Sequence, residues 1–418
     1  MTDIITVLSA IDPDGALART RIQRSAAVAN SQLSFEALLE PLNPGTFSFG
    51  ERYAVATYVA GLHQDQAAFD FYGELLLDDA PASLRDAVAA AVQQGLASGP
   101  YGTYREVGLA AESQPGPSVR HDAAALGERL AAAFDVAHLM VLHPRDSRPE
   151  VLGHLSGAGW SADELVSLAQ LVAFLAYQLR VVHGLRVVDG REATVEPTPS
   201  SGSVEQVDWQ LSDRGFPVTT YPDIVAPERF VSHSLGWKPW APPVPKGDLR
   251  PDQWEALVEK RRADMPYFRL LARDPQALKA RTLTDNDIFY NIEGGLGRAE
   301  RELSAAATSR LNGCTFCASV HAGFAIEQSG RVDDVERLLA EGVGADLGSE
   351  SWNAVVDAAV ALTHTPVRFG SAQVDRLRAA GLDDAAVLDV INSAAFFNWA
   401  NRLMLGLGEP EVPARLRA

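Results

Sequence analysis

The stretch 155–185, LSGAGWSADELVSLAQLVAFLAYQLRVVHGL, returns without a gap as 377–407, LRAAGLDDAAVLDVINSAAFFNWANRLMLGL. Each copy predicts a short helix ending at a glycine, Gly159 or Gly381, and then a polar or acidic helix start. A long helix of apolar periodicity follows, in which Arg180 matches Arg402. An internal repeat of a helix pair predicts an all-α fold built from two tandem copies of one helical domain.

The composition agrees with such a fold and excludes some partners. Leu and Ala are abundant and runs of β-branched residues are rare, which favours helices. The 418 residues carry a formal net charge of −18. An acidic chain is repelled by nucleic acids and by anionic membranes, so we expect neither as a partner.

The N-terminal sequence has no apolar stretch of signal-peptide length. The sequence also lacks an unbroken apolar run of about 18 residues, the length of a membrane span. We therefore expect a cytoplasmic protein. In a reducing cytosol a lone cysteine pair is more often catalytic or metal-binding than structural.

Proline-rich sequence separates the two copies. We predict a first helical domain at 1–190, a linker at 191–247 and a second helical domain at 248–418. The segment EPTPSSGS reads as flexible linker, because such sequence cannot form a long helix. The segment 237–240, WKPW, carries enough aromatic surface to pack against a domain face or a neighbouring subunit.

Both cysteines of the chain lie in the segment 311–321, LNGCTFCASVH. The pattern predicts a helix over 296–311, a stop at Asn312 and Gly313, and a second helix from about Thr315. The cysteines would then sit at a helix start, where the helix dipole lowers the pKa of a thiol. Cys317 and His321 are four residues apart and share a helix face, so the imidazole could accept the thiol proton.

Glu302 lies about as far before the predicted turn as His321 lies beyond it. If the two helices form an antiparallel hairpin, the Glu302 carboxylate faces the His321 imidazole. A carboxylate in that position fixes the tautomer and raises the basicity of the ring.

Other interpretations of the cysteine pair are less favourable. A structural disulfide across two residues closes almost no loop and stabilises little. A zinc site needs four ligands, and this cluster offers two thiolates and one imidazole, so Glu302 or another subunit would have to complete it. A thioredoxin-type domain would place the pair after a strand, whereas the flanks here are helical. Redox catalysis by a helical protein is the interpretation we favour.

Glu302, eleven residues, Cys314-Thr315-Phe316-Cys317, three residues and His321 together resemble a family signature. It is the Glu…Cys-X-X-Cys-X-X-X-His signature of the alkylhydroperoxidase D (AhpD-like) branch of the carboxymuconolactone decarboxylase superfamily. The stretch 396–402, FFNWANR, resembles the closing helices of that family. The resemblance is strong over 248–413 and weaker over 1–190, which resembles a second copy without the redox motif.

The resemblance implies an all-helical antioxidant enzyme that reduces alkyl hydroperoxides. By position, Cys317 would attack the peroxide and become a sulfenic acid, and Cys314 would resolve it to a redox-active disulfide. His321 and Glu302 would relay protons. The resemblance implies no bound cofactor, an external thiol reductant such as a lipoyl-bearing or other dithiol protein, and a homo-oligomer, commonly a trimer. The alternatives are a general thiol–disulfide oxidoreductase and a decarboxylase-like enzyme acting on a small acid.

The first copy has a different set of residues at the corresponding place. Aligning Glu51 with Glu302 puts His63 at Cys314, Gln66 at Cys317 and Asp70 at His321. An insertion follows at about 98–122. We expect this copy to be a structural pseudo-domain that completes an oligomer interface. Should it hold a second, different site, its candidate residues are Glu51, Arg52 and His63.

Overall fold

The computed structural model describes residues 3–191 and 207–417, which we call the N-terminal half (3–191), the connecting segment (207–247) and the C-terminal half (248–417). Of the described residues 66% are helical, so the predicted all-α class is confirmed. In chain order the α-helices of the described residues are α1 (Ile4–Ser9), α2 (Ala16–Arg21), α3 (Ser25–Leu39), α4 (Phe49–Leu62), α5 (Gln66–Asp79), α6 (Ala82–Gly95), α7 (Ala123–Leu126), α8 (Glu128–Leu142), α9 (Pro149–Gly157), α10 (Ala162–Val188), α11 (Pro251–Ala256), α12 (Pro266–Leu271), α13 (Pro275–Tyr290), α14 (Arg298–Asn312), α15 (Thr315–Ser329), α16 (Val332–Glu341), α17 (Glu350–Thr363), α18 (Ser371–Ala379) and α19 (Asp384–Leu407); two short strands, β1 (Gly236–Pro239) and β2 (Gly408–Glu411), complete them.

The repeated sequence forms the same helix pair twice, α9 with α10 and α18 with α19. Gly159 and Gly381 both have φ near +90°, a backbone conformation that favours glycine. Each long helix then begins after a capping side chain, since Ser161 accepts a hydrogen bond from the backbone of Glu164 and Asp383 accepts one from Ala386. The repeat predicted from the sequence is present.

The two long helices form the centre of the molecule. Helix α10 packs against α19, and α3 packs against α13, so matching helices of the two halves meet in pairs. Both α10 and α19 are buried on nearly all sides, as expected for helices that are apolar all round. Helix α10 is also, within 3–191 and 207–417, long and apolar enough to cross a membrane, but 94% of its most apolar stretch is buried in this core.

Two fully buried arginines link the halves reciprocally. Arg180 of α10 donates to the carbonyl oxygens of Leu362 (2.7 Å) and Thr363 (3.0 Å), where α17 ends. Arg402 of α19 donates to the carbonyl oxygen of Val141 (2.9 Å), where α8 ends. The last carbonyls of a helix have no partner within their own helix. Each half therefore completes a helix end in the other.

Helices α4 and α5 correspond to α14 and α15, but in a different register from the one predicted. Three pairs of positions with the same role are each separated by 249 residues: the N-caps Ser48 and Gly297, the left-handed Gln64 and Gly313, and the N-caps Asp65 and Cys314. The alignment of Glu51 with Glu302, separated by 251, is therefore wrong by two residues. Alanine-rich helical sequence matches equally well at several offsets, and only the turn geometry fixes the register.

The corrected register changes the residues that stand opposite the signature. These are Tyr53 for Glu302, Asp65 for Cys314, Ala68 for Cys317 and Tyr72 for His321. The N-terminal half thus has neither a thiol nor an imidazole at these positions.

The connecting segment packs down where the sequence predicts that it should. Strand β1 pairs antiparallel with β2 at the end of α19. Trp240 is fully buried and its Nε1 donates to Glu409 (2.8 Å), while Trp237 Nε1 donates to the carbonyl oxygen of Met404 (3.0 Å). The predicted flexible stretch EPTPSSGS (196–203) lies outside the described residues.

Candidate active site

The cysteines lie at the turn of a helical hairpin. Helix α14 ends at Asn312, Gly313 adopts φ +82°, and α15 begins at Thr315, as predicted. A Cβ atom at Gly313 would stand 2.5 Å from Cδ of Arg145, so both the backbone and the space require glycine. Asn312 Nδ2 donates to Oδ1 of Asn401 (3.0 Å), which ties the turn to the central helix α19.

Both sulfurs are free thiols in a protected position. Cys314 is the N-cap of α15 and Cys317 stands three residues later, with only 2% and 4% of their surfaces exposed. Burial, and then the hydrogen bond with the Cys317 side chain, raises the pKa of Cys314 well above its usual value. The expectation that the helix start lowers the pKa of Cys314 is therefore wrong, because burial outweighs the dipole. Cys314 remains a protonated thiol at neutral pH.

Glu302 and His321 meet across the hairpin, as the antiparallel arrangement predicts. His321 Nδ1 lies 2.5 Å from Glu302 Oε2, and the other carboxylate oxygen accepts a hydrogen bond from Arg298 Nε (3.2 Å). Glu302 is 1% exposed and the His321 side chain 15%. The carboxylate favours the tautomer with its proton on Nδ1. Nε2, which has no hydrogen-bond partner among the described residues, is left for chemistry.

Aromatic rings surround the imidazole. The ring of Phe397 lies 4.0 Å from that of His321, and the rings of Phe289 and Phe324 lie 5.7 and 6.0 Å away. Phe396, next to Phe397 on α19, extends this row toward the molecular centre. The site therefore combines two thiols and one imidazole with an apolar wall.

The N-terminal half covers the cysteine turn, which sequence reasoning missed. Arg145 donates to the carbonyl oxygen of Leu311 (3.2 Å) and lies over the ring of Tyr104. Glu112 binds the guanidinium of Arg310 through both oxygens, at 2.6 and 2.9 Å. The covering residues Tyr104 and Glu112 belong to the predicted insertion, which reads as an ordinary loop because nothing in its own sequence shows what it contacts.

Three further side chains, Tyr267, Arg281 and Asp285, lie outside the signature, on α12 and α13. Burial raises the pKa of Tyr267 to about 12, although Arg281 opposes this, and both cysteines add to the rise. Burial likewise raises the pKa of Asp285, which lies near His321 and one helical turn after Arg281. Their residue types occur throughout the chain, so only the packing of α12 and α13 identifies them.

The candidate residues of the N-terminal copy do not form a site. Glu51 caps the start of α4 and pairs with Arg129 (2.8 Å). Arg52 donates to the carbonyl oxygens of Phe47 and Leu38. His63 lies at the opposite end of α4, where burial lowers the pKa of its ring well below the usual value. The three residues support the helix at separate places.

Within the two described ranges, no three His, Cys, Asp or Glu side chains are grouped so that they could hold a metal ion.

The fold and the site define a helical protein with a dithiol, an imidazole and a carboxylate at one hairpin. Residues 275–361 match the model of the carboxymuconolactone decarboxylase family, which is a family of enzymes. This segment runs from α13 into α17 and includes Glu302, Cys314, Cys317 and His321, so the similarity to that family covers all four residues of the signature. The family model does not match the N-terminal copy. Comparison with the curated proteins gives no significant match.

Proposed function

We propose that the protein is a thiol-dependent hydroperoxide reductase with one active site, at the hairpin of α14 and α15. The observation that carries the proposal is the pairing of two free thiols three residues apart with an imidazole that Glu302 holds by its Nδ1. Peroxide reduction needs a nucleophilic sulfur, a proton donor for the leaving oxygen and a second thiol. The hairpin supplies all three.

In the first step the Cys317 thiolate attacks the terminal oxygen of R–O–OH. The S–O bond forms as the O–O bond breaks, which gives a sulfenic acid and an alkoxide. Protonated His321 gives its proton to the alkoxide, which leaves as the alcohol, and Glu302 stabilises the imidazolium beforehand.

In the second step the sulfur of Cys314 attacks the sulfenic sulfur. The hydroxyl group leaves with the Cys314 proton as water, and a disulfide forms. The two thiols have lost two electrons and the peroxide has gained them. The raised pKa of Cys314 fits this order, because a protonated thiol does not compete for the peroxide and carries the proton that the leaving hydroxide needs.

We further propose that an external dithiol, on a lipoyl-bearing or another dithiol protein, reduces the disulfide again, so that no bound cofactor is required. We place the protein in the cytoplasm, in an antioxidant role and as a homo-oligomer such as a trimer. The acidic net charge supports the absence of nucleic-acid and membrane partners.

The test is the second-order rate of thiol loss when the reduced protein meets cumene hydroperoxide. We expect a fast reaction for the natural protein and none for Cys317→Ser. The matched variant Cys314→Ser should still react once and accumulate a sulfenic acid that dimedone traps. A natural protein that reacts no faster than a small free thiol would contradict the proposal. Reduction of a dithiol partner's disulfide in that case would favour a thiol–disulfide oxidoreductase.

A second candidate is a decarboxylase-type enzyme, favoured by the family match and by the Glu302–His321 pair, which can move protons without a thiol. The double variant with Cys314→Ser and Cys317→Ser separates the two functions. Such an enzyme would retain its turnover of a lactone acid in this variant, whereas peroxide reduction would be lost.

A further inference from the structure

Arg281 on α13 is a buried arginine whose Nε has no hydrogen-bond partner among the described residues. The residue as a whole is 5% exposed. Three aromatic rings surround it, with Phe396 at 4.9 Å, Trp399 at 5.7 Å and Tyr267 at 6.0 Å. Arg180, which is fully buried, shows the contrast, because it donates to backbone carbonyls of α17.

The rings stabilise only part of this charge. A guanidinium has five N–H donors in its plane, while cation–π contacts act on its faces. Asp285 stands one helical turn away and is close enough for its charge to interact with that of Arg281, yet among the described residues the two side chains form no ion pair within 4 Å. A buried cation with unpaired donors is costly, and an anionic group placed against its edge would remove that cost.

A second buried donor lies beside Arg281, whose guanidinium stands 6.0 Å from the ring of Tyr267. The Tyr267 hydroxyl has no hydrogen-bond partner, and Tyr267 is 8% exposed. Arg281, Cys317 and Cys314 all lie close enough to influence the pKa of this hydroxyl. Tyr267 therefore lies near both the arginine and the thiols.

The aromatic wall connects Arg281 with the imidazole. Phe396 packs against Arg281 on one side and against Phe397 on the other (5.9 Å), and Phe397 packs against His321. Phe289 lies against both phenylalanines. An apolar chain along these rings would join an anionic group at Arg281 to a reacting group near the thiols.

We propose that Arg281 and the Tyr267 hydroxyl bind the carboxylate of the substrate, so that the enzyme acts on hydroperoxides with a carboxylate on an apolar body. This inference rests on the proposed peroxide reduction and names its substrate class. Arginine binds a carboxylate through two parallel hydrogen bonds, and the tyrosine adds a third. The rings of Phe289, Phe396 and Phe397 contact the hydrocarbon.

The experiment compares a medium-chain hydroperoxy carboxylic acid with its methyl ester, using the rate constant of thiol oxidation for each. In the natural protein we expect the acid to react at least 10-fold faster than the ester. Arg281→Gln should bring the ratio close to one. Arg281→Lys should give an intermediate ratio, because a lysine keeps the charge without the paired donors.

Tyr267→Phe tests the same carboxylate site if the arginine variants do not fold. It removes a hydroxyl that has no hydrogen bond, so the melting temperature should not fall, while the acid-to-ester ratio should fall several-fold. A ratio that stays unchanged in this variant would overturn the role of Tyr267. Equal rates for acid and ester in the natural protein would overturn the inference and leave peroxide reduction standing.

A binding measurement separates this inference from the chemistry. Calorimetric titration of the full chain with octanoate and with octanamide should show binding of octanoate alone, weakened in Tyr267→Phe. If no peroxide oxidises the thiols, the proposed peroxide reduction is contradicted. The titration with octanoate then tests the carboxylate site at Arg281 and Tyr267 independently. The preference for a carboxylate could instead appear only in the later step, in which a dithiol reduces the disulfide. That result would overturn the proposal that Arg281 and Tyr267 bind the hydroperoxide.

Discussion

The imidazole of His321 depends on one carboxylate for its orientation. Glu302 is 1% exposed and holds Nδ1 from the opposite helix, while Arg298 holds its second oxygen. These two contacts hold the Glu302 carboxylate in place, and the carboxylate in turn fixes the imidazole ring against the wall of phenylalanines. The proton that leaves the site therefore comes from Nε2.

Glu302→Gln should slow peroxide reduction roughly 10- to 100-fold, because the imidazolium loses its counter-charge and the ring its fixed tautomer. The measurement is the rate of thiol oxidation between pH 5 and 9, where the variant should show a shifted profile. Glu327→Gln, an exposed glutamate on the same helix as His321, is the matched control. Equal effects of both substitutions would contradict the role of Glu302.

Asp135 gives a residue-scale prediction about stability. Burial would raise its pKa, but hydrogen bonds from His121 and His154 outweigh burial and lower it to about 2. An unfolded aspartate titrates near pH 4, so the stabilisation is complete above about pH 4 and is lost as the pH falls to about 2.

Asp135→Asn should therefore reduce the free energy of unfolding at pH 5 by about 2 kcal/mol more than at pH 2. Urea denaturation at the two pH values measures the difference. Asp213→Asn, at an exposed position of the connecting segment, should show none. A penalty for Asp135→Asn that does not change with pH would show that packing, and not the charge, is lost.

At the scale of elements, the hairpin of α14 and α15 is the part that the sequence predicts best. The glycine stop, the helix start at Thr315 and the meeting of Glu302 with His321 all follow from periodicity and turn chemistry. The register of α4 and α5 does not, because similar alanine-rich turns align at several offsets. The sequence also does not predict the roles of Arg281 and Tyr267, because these roles arise only when α12 and α13 pack beside the hairpin.

Gly313→Ala tests what the turn requires. A left-handed residue other than glycine costs about 1 kcal/mol, and here the new Cβ would also displace the side chain of Arg145. Gly330→Ala, at the end of α15, has φ +71° but open space around it, so it should lose only the conformational part.

Urea denaturation of both glycine variants should show a loss for Gly313→Ala of at least about twice that for Gly330→Ala. Gly313→Ala should also make the thiols react faster with a small disulfide reagent, since Arg145 no longer seals the turn. Equal losses of stability would show that the arginine adapts at no cost.

On the scale of the whole molecule, the two halves share one core. Helices α10 and α19 pack together in the middle, and α3 packs on α13. Loops of the N-terminal half cover the cysteine turn of the other. This arrangement resembles a dimer interface with twofold-related contacts, enclosed within one chain.

A shared core predicts one cooperative unfolding transition. In increasing urea, the loss of helical circular dichroism and the exposure of the two thiols to a colorimetric disulfide reagent should have the same midpoint. Arg180→Met should shift both midpoints together, although Arg180 belongs to the half without cysteines. A helical signal that falls in two steps, with the thiols protected until the second, would contradict the shared core.

The exchange of Arg180 and Arg402 between the halves has a consequence for inheritance. A codon in one half determines whether a helix in the other half is properly ended, so neither half is free to diverge alone. A chimaera that takes one half from a related chain must bring both a suitable arginine and suitably placed carbonyl groups. Otherwise the last carbonyls of one helix have no donor from the other half. A substitution at either arginine, or at a carbonyl group that receives it, therefore affects both halves, in evolution and in protein engineering.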